Sequence, residues 1–196
     1  VVALFSGRAY NIICELLGSN WYAVAATVAL GALAVCHIVY AFILTAQNRS
    51  ARGANRYEVT AKPEKVEWAS QNMLVLGIIV LLGLALHLFN FWYNMMFAEL
   101  VGMRTVLEPT DGFGLICATF QTKVYVVLYV IWIVALWYHL SHGFWSAMQT
   151  IGINGKVWFN RWKVIGTVYV TLLMLAFLVV VLAFAFGCAP SLHCAA

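Results

Sequence analysis

The stretch from Trp21 to Gln47, WYAVAATVALGALAVCHIVYAFILTAQ, runs for 27 residues without one Asp, Glu, Lys or Arg. A helix rising ~1.5 Å per residue crosses the ~30 Å hydrocarbon core of a bilayer in ~20 residues, so this stretch is long enough to span. Three further stretches share its character: Gln71 to Phe97, Val124 to Met148 and Val164 to Phe186. Their apolar runs are continuous, where the strands of a membrane barrel would alternate, and only helices and closed barrels satisfy the backbone in lipid. The fold class is therefore all-α, a polytopic transmembrane helical bundle with four visible spans. Residues 1–196 read as a single transmembrane domain.

Composition points the same way. Of the 196 residues, 64% are apolar and 9% charged, with a mean hydropathy of +0.91. A soluble domain of this length cannot bury so much apolar surface. The net charge of +4 is concentrated in two loops. Arg49, Arg52, Arg56, Lys62 and Lys65 lie in the loop at 48–70, and Lys156, Arg161 and Lys163 in the loop at 149–163. The opposite side carries Arg8, Arg104 and Lys123, diluted by Glu15, Glu99, Glu108 and Asp111. The positive-inside rule makes the two basic loops cytoplasmic. The charge thus reports topology, and no nucleic-acid partner is expected; membrane lipid surrounds the chain.

The remaining segments are short. Ser6 to Asn20 is a helical-looking outer connection, and Ala98 to Thr119 is an outer loop with a turn signal at Pro109-Thr110-Asp111-Gly112. Pro63 precedes a helix start at Glu64 to Ser70. Trp21, Tyr22, Trp92, Tyr93, Trp145, Trp158 and Trp162 gather at the boundaries, where amphipathic rings sit at headgroup level. Cys14 and Cys36 read as small packing residues. Cys188 and Cys194 lie in a tail that reads as loose, with a disulfide as the alternative. Val1 to Phe5 reads as the emerging end of a helix whose body lies upstream, which would be a fifth span.

Histidines carry the functional signal. His37 and His139 each lie ten residues before a glutamine, Gln47 and Gln149, that ends a long apolar helix. Both imidazoles are then about 15 Å from the cytoplasmic helix ends. Ionisable or metal-binding side chains at such depth are rare and usually functional. Two imidazoles facing each other in a helical bundle suit a six-coordinate haem iron. His87 follows Trp68 by nineteen residues, which places it about 14 Å further toward the outer face. It suits a second site and has no partner at its depth among the visible spans. Zinc would require a tighter cluster, often with Cys or carboxylate. Gly31, Ala34 and Gly83 near these histidines fit either a flat macrocycle or ordinary small-residue helix packing. His142, one turn from His139, belongs near haem propionates or at a partner interface. Arg49 and Arg52 are candidates for the propionates or ordinary positive-inside flanks.

Three stretches, HIVYAFILTAQNRSAR (37–52), VEWASQNMLVLGIIVLLGLALHLFNFWYNMMF (66–97) and YHLSHGFWSAMQTIG (138–152), carry a likeness to a known family. Together they resemble the dihaem cytochrome b membrane-anchor subunit of succinate:quinone oxidoreductases, the succinate dehydrogenases and fumarate reductases. The resemblance implies five transmembrane helices and four axial histidines. His37 and His139 would ligate the inner b haem and His87 one face of the outer b haem. The fourth ligand would come from a first helix upstream of Val1. Gly152 aligns so as to favour His139 over His142. The resemblance also implies menaquinone or another quinone near the outer haem. Glu15 on the outer connection is the candidate for quinone-linked proton transfer, and Asn90, Trp92, Tyr93 and Asn94 lie just beyond His87. Some dihaem relatives use a buried acid two residues before the last ligand; Trp137 stands there, against that proton route.

The implied enzyme is a complex in the bacterial cytoplasmic membrane. Flavoprotein and iron–sulfur subunits would dock on the cytoplasmic loops, dicarboxylate chemistry would lie in the flavoprotein, and this chain would carry electrons to or from quinone. Two rivals remain at this stage. One is the cytochrome b anchor of a hydrogenase or nitrate reductase, which different partner subunits would reveal. The other is a haem-free transporter or anchor, although the spans lack the broken-helix Gly/Pro interruptions that mark midplane substrate sites.

Overall fold

A short turn of helix, α1 (Val2–Phe5), leads into α2 (Gly7–Ser19). Ser6 is the N-cap of α2, its hydroxyl accepting from the Ala9 N–H at 3.1 Å. In the computed structural model residues 1–52, 67–153 and 155–187 are described. The expected helix start at Pro63 to Val66, the basic residues Arg56, Lys62 and Lys65, the Arg52 side chain and the tail with Cys188 and Cys194 lie outside them. α3 (Trp21–Arg52) is followed by α4 (Trp68–Gln71) and α5 (Met73–His87). A π-helical segment, Leu88–Phe97, and α6 (Ala98–Val101) continue the α5 axis. Then come α7 (Gly112–Gln121), α8 (Lys123–Ile151) and α9 (Trp158–Phe186). No strand occurs among the described residues.

Among the described residues four helices are long and apolar enough to cross a membrane: Trp21–Ala51, Met73–Val101, Lys123–Ile151 and Trp158–Phe186. The all-α, multi-span expectation is met. The spans overrun their expected ends because the flanking residues still favour helix. Asn48 to Arg52 extend α3 as polar turns beyond the apolar run. Gly152, at φ 88°, stops α8 in a left-handed cap. The connection to α9 is accordingly shorter than 149–163.

The outer loop expectation is corrected. Ala98 to Thr119 holds the last turn of a span, stopped by Gly102 at φ 65°, and most of α7. The turn signal at Asp111 is an N-cap: its carboxylate accepts from Gly114 N–H at 2.9 Å. Asn11 on α2 clamps the same corner, donating to Asp111 at 2.7 Å and accepting from Phe113 N–H at 2.8 Å. Thus α2 and α7 lie together over the end of the bundle opposite the basic loops.

Packing is uneven. α8 is the central helix, lying against α9 and α5. Glycine lets both neighbours approach: a Cβ on Gly166 would meet Phe144 at 2.4 Å, and one on Gly83 would meet Trp132 at 2.0 Å. Tyr129, Ile133, Val170, Met174, Val181 and Phe184 form the core there. α3 is different. No residue in its most apolar window is buried, against 17% to 22% in the other spans.

Candidate haem-ligand histidines

The helical repeat places Tyr129, Trp132, Leu136 and His139 on one face of α8. That face organises both histidine positions. His139 meets His37 of α3, ring centres 6.1 Å apart and planes at 84°. Two metal–imidazole bonds of ~2.0 Å plus the two ring radii come to roughly 6 Å. The spacing matches two imidazoles on opposite sides of one metal ion, and equally an edge-to-face ring contact. α3 shares no extended backbone contact with α5, α8 or α9. Its flank near the pair, Leu33 and Tyr40, is exposed, and a Cβ on Gly31 or Gly143 would meet nothing within 4 Å. Two helices thus present histidines to each other with open space at Gly31 and Gly143, while α5 reaches the His139 ring, where a Cβ on Gly77 would lie 3.7 Å from Cε1.

His139 Nδ1 is buried with no hydrogen-bond partner among the described residues, and Ser141 Oγ shares that state. An unsatisfied buried polar atom costs about 1–3 kcal/mol. Side-chain packing alone does not account for keeping an imidazole there. Among the described residues no three His, Cys, Asp or Glu side chains cluster as a metal site. Two imidazoles alone do not complete a zinc site; His37 and His139 would suit a group that needs only two protein ligands, such as a haem.

His87 ends α5 and is enclosed differently. Phe91, Trp132 and Tyr129 stand around it, with ring centres at 5.1, 5.4 and 6.1 Å. Its Nδ1 lies 3.5 Å from the Tyr129 hydroxyl, which takes a 3.4 Å contact from Asn90 Nδ2. Tyr129 precedes His139 by ten residues, so the two positions are about 15 Å apart along α8. Gly83 is resolved as a packing residue. Trp132 fills the space beside it and donates from Nε1 to Val80 O at 3.0 Å.

The π segment begins directly after His87. Asn94 Nδ2 donates to Phe89 O at 3.0 Å and Asn90 O at 3.1 Å, supplementing carbonyls in the widened turns. Such segments concentrate at functional sites. Asn94 also lines a cavity of about 260 Å³ with Thr105, Leu107, Glu108 and Leu115. Glu15 lies exposed on α2 and is not part of that lining. Trp92 Nε1 is buried without a partner among the described residues, and Tyr93 Oη reaches Met103 Sδ at 3.6 Å.

At the basic end, His142 Nδ1 lies 3.2 Å from Glu67 Oε2, and Lys163 Nζ donates to Glu67 Oε1 at 2.7 Å. The Lys163 contact, offset by partial burial and aided by His142, holds the Glu67 carboxyl below the usual range. Lys163 also lies over Trp145, 4.4 Å from its ring centre. Arg49 sits exposed near the end of α3, twelve residues beyond His37. Trp137 donates from Nε1 to Thr171 Oγ1 at 2.8 Å, joining α8 to α9.

Sequence reasoning missed Tyr129, Trp132 and the Glu67 contacts. The first two had a visible signal, their i, i+3 and i+10 spacing to His139. The Glu67 contacts had none, because they join residues 75 and 96 positions apart. No family model, no curated protein and no solved structure matches the chain. The functional reading therefore rests on the chain's own residues.

Proposed function

We propose that this chain is a haem-binding membrane anchor that passes electrons between partner subunits and a membrane quinone, as in a succinate:quinone oxidoreductase. The observation that carries the proposal is the His37–His139 pair, 6.1 Å between ring centres, on helices that otherwise hold apart. A bis-imidazole haem supplies one-electron transfer. The chain's residues do the rest. His37 and His139 fix the inner iron, and the depth of His87, about 15 Å along α8, suits a second carrier. Apolar flanks on α3 and α5 exclude water from both.

The sequence motifs at 37–52, 66–97 and 138–152 support the specific family. The basic loops would receive the iron–sulfur and flavoprotein subunits on the cytoplasmic side. His142 and Arg49 lie toward that end; His142 is engaged with Glu67. Arg49 and Arg52 remain candidates for propionate contacts. A quinone would react near His87; the Asn94 cavity supplies Glu108 as a carboxylate candidate, and Glu15, outside that lining on α2, is the other.

The test is a dithionite-reduced minus oxidised spectrum of the complex isolated from its membrane, with haem quantified as the pyridine haemochrome. His37→Ala and His139→Ala should each remove the same b haem, and His87→Ala the other. A colourless complex would overturn the proposal and leave a haem-free anchor or transporter. Flavoprotein and iron–sulfur subunits co-isolating with succinate or fumarate activity would support the family; hydrogenase or nitrate reductase subunits would replace it.

A further inference from the structure

The connection between α8 and α9 carries cations that the bundle does not neutralise. Residues 149–163 hold Lys156, Arg161 and Lys163 and no acid. Lys163 is taken up by Glu67 at 2.7 Å. Arg161 and Lys156 are exposed and pair with no carboxylate among the described residues. The Arg161 guanidinium lies over the Trp158 ring, 5.1 Å from its centre. That attraction steadies the guanidinium beside the indole and leaves its N–H donors free for an anion.

The two cations border a cleft. Gly152, Ile153, Gly155, Trp158 and Trp162 line an open space of about 430 Å³ between the end of α8 and the start of α9. Its walls are tied together: Gly152 turns the chain at φ 88°, and Trp162 donates from Nε1 to Ile153 O at 2.8 Å. Trp158 and Trp162 stand side by side, ring centres 5.4 Å apart. Such rings belong at headgroup level.

An apolar stripe continues from the cleft into the span. The helical repeat places Trp158, Arg161, Ile165, Val168 and Leu172 on one face of α9. Trp158 and the three aliphatic residues are 45% to 65% exposed, so no described helix covers this face. From Arg161 to Leu172 it descends about 16 Å, roughly one leaflet of hydrocarbon. Free cations at the head of an uncovered apolar stripe are complementary to an amphipathic anion.

We propose that the cleft holds the headgroup of an anionic phospholipid, with Arg161 and Lys156 on its phosphate and its acyl chains along the α9 stripe. Guanidinium binds phosphate through two parallel N–H bonds, and ammonium acts as a point charge. An acidic soluble partner would meet the cations but not the stripe, which lies within the span. The proposal needs only the membrane-spanning character of the chain and is independent of any haem.

The experiment is native mass spectrometry of the protein as isolated, with dioleoyl phosphatidylglycerol or dioleoyl phosphatidylcholine added in detergent. One phosphatidylglycerol should be held more tightly than phosphatidylcholine. Arg161→Gln and Lys156→Gln should each weaken it about fivefold, the effect of one cation at an anionic headgroup. Arg8→Gln, at the opposite end, should leave both lipids unchanged. Dihexanoyl phosphatidylglycerol, with the same headgroup on short chains, should bind more weakly, and inorganic phosphate should not displace the long-chain lipid.

Equal retention of the two dioleoyl lipids would overturn the proposal, as would phosphatidylglycerol retention unchanged in both variants. Displacement by inorganic phosphate would also overturn it, making the cleft a site for a free anion. Loss of a protein subunit from Arg161→Gln with lipid retention unchanged would assign the cations to that partner instead. If Arg161→Gln does not accumulate, Lys156→Gln, a change at an exposed loop residue, decides by the same comparison.

Discussion

His87 and His139 lie on adjacent, closely packed helices, yet their surroundings differ in kind. Around His87 the polypeptide fills the space itself, with Phe91, Trp132 and Tyr129 in ring contact and Gly83 closed by Trp132. Around His139 the filling is one-sided. α5 approaches the ring, where a Cβ on Gly77 would lie 3.7 Å from Cε1, whereas the facing helix, α3, contributes His37, and a Cβ on Gly31 or Gly143 would meet nothing within 4 Å. Helices in lipid gain no hydrophobic drive from meeting and associate through close packing and polar contacts. By that standard α5, α8 and α9 form a packed unit. α3 meets that unit at the His37–His139 ring contact and shares no extended backbone packing with it.

The strongest test of that contrast targets α3. Spin labels on α3 and α8 should give a narrow distance distribution in the complex as isolated. His37→Ala should broaden it severalfold, while labels on α8 and α9 should report an unchanged separation. An equally narrow α3–α8 distribution in the variant would mean that α3 docks by packing. The difference between the two regions would then be one of degree.

How much of this was legible in the sequence follows the same division. The spans were readable because charge-free runs as long as 21–47 have no other home. The match between His37 and His139 was readable because both count ten residues from the helix-ending glutamine, and rise per residue converts that count to depth. Ends and connections were less so. Asp111 looked like a turn because Asp-Gly usually is one, while its carboxylate serves as a helix cap. Lateral neighbours were the least legible. Gly83 was compatible with a macrocycle slot until Trp132, 49 positions away, occupied the space.

That occupied space gives the second prediction. In a helix Ala is preferred to Gly by about 1 kcal/mol, so a Gly→Ala change is stabilising wherever the methyl finds room. At Gly31 a Cβ meets nothing within 4 Å, whereas at Gly83 it would fall 2.0 Å from Trp132 Cδ1. Gly31→Ala should leave thermal stability unchanged or slightly higher. Gly83→Ala should lower it by about 1–3 kcal/mol, the cost of overpacking a filled core. If the proposed haem sits at His87 it should loosen with it, while one held by His37 and His139 should be retained. Equal destabilisation by the two changes would show that the space beside α3 is filled.

The smallest effect is electrostatic and lies one turn from the inner pair. Glu67 joins the start of α4 to His142 on α8 and Lys163 on α9. Its carboxyl is held below the ordinary range chiefly by Lys163. A depressed carboxyl contributes stability that is full above its unfolded value of ~4.3 and is lost as pH falls through the folded value. Glu67 is 43% exposed at its side chain, so solvent screening limits the contribution to about 1 kcal/mol or less. Glu67→Gln should therefore melt slightly below the unsubstituted protein at neutral pH, and the gap should close below about pH 4. High salt should narrow it at neutral pH as well. The outer site has no such lever, because its contacts are aromatic and uncharged. A Glu67→Gln difference that persisted unchanged into acid would assign the residue to packing, and would make the basic end as closely fitted as the surroundings of His87.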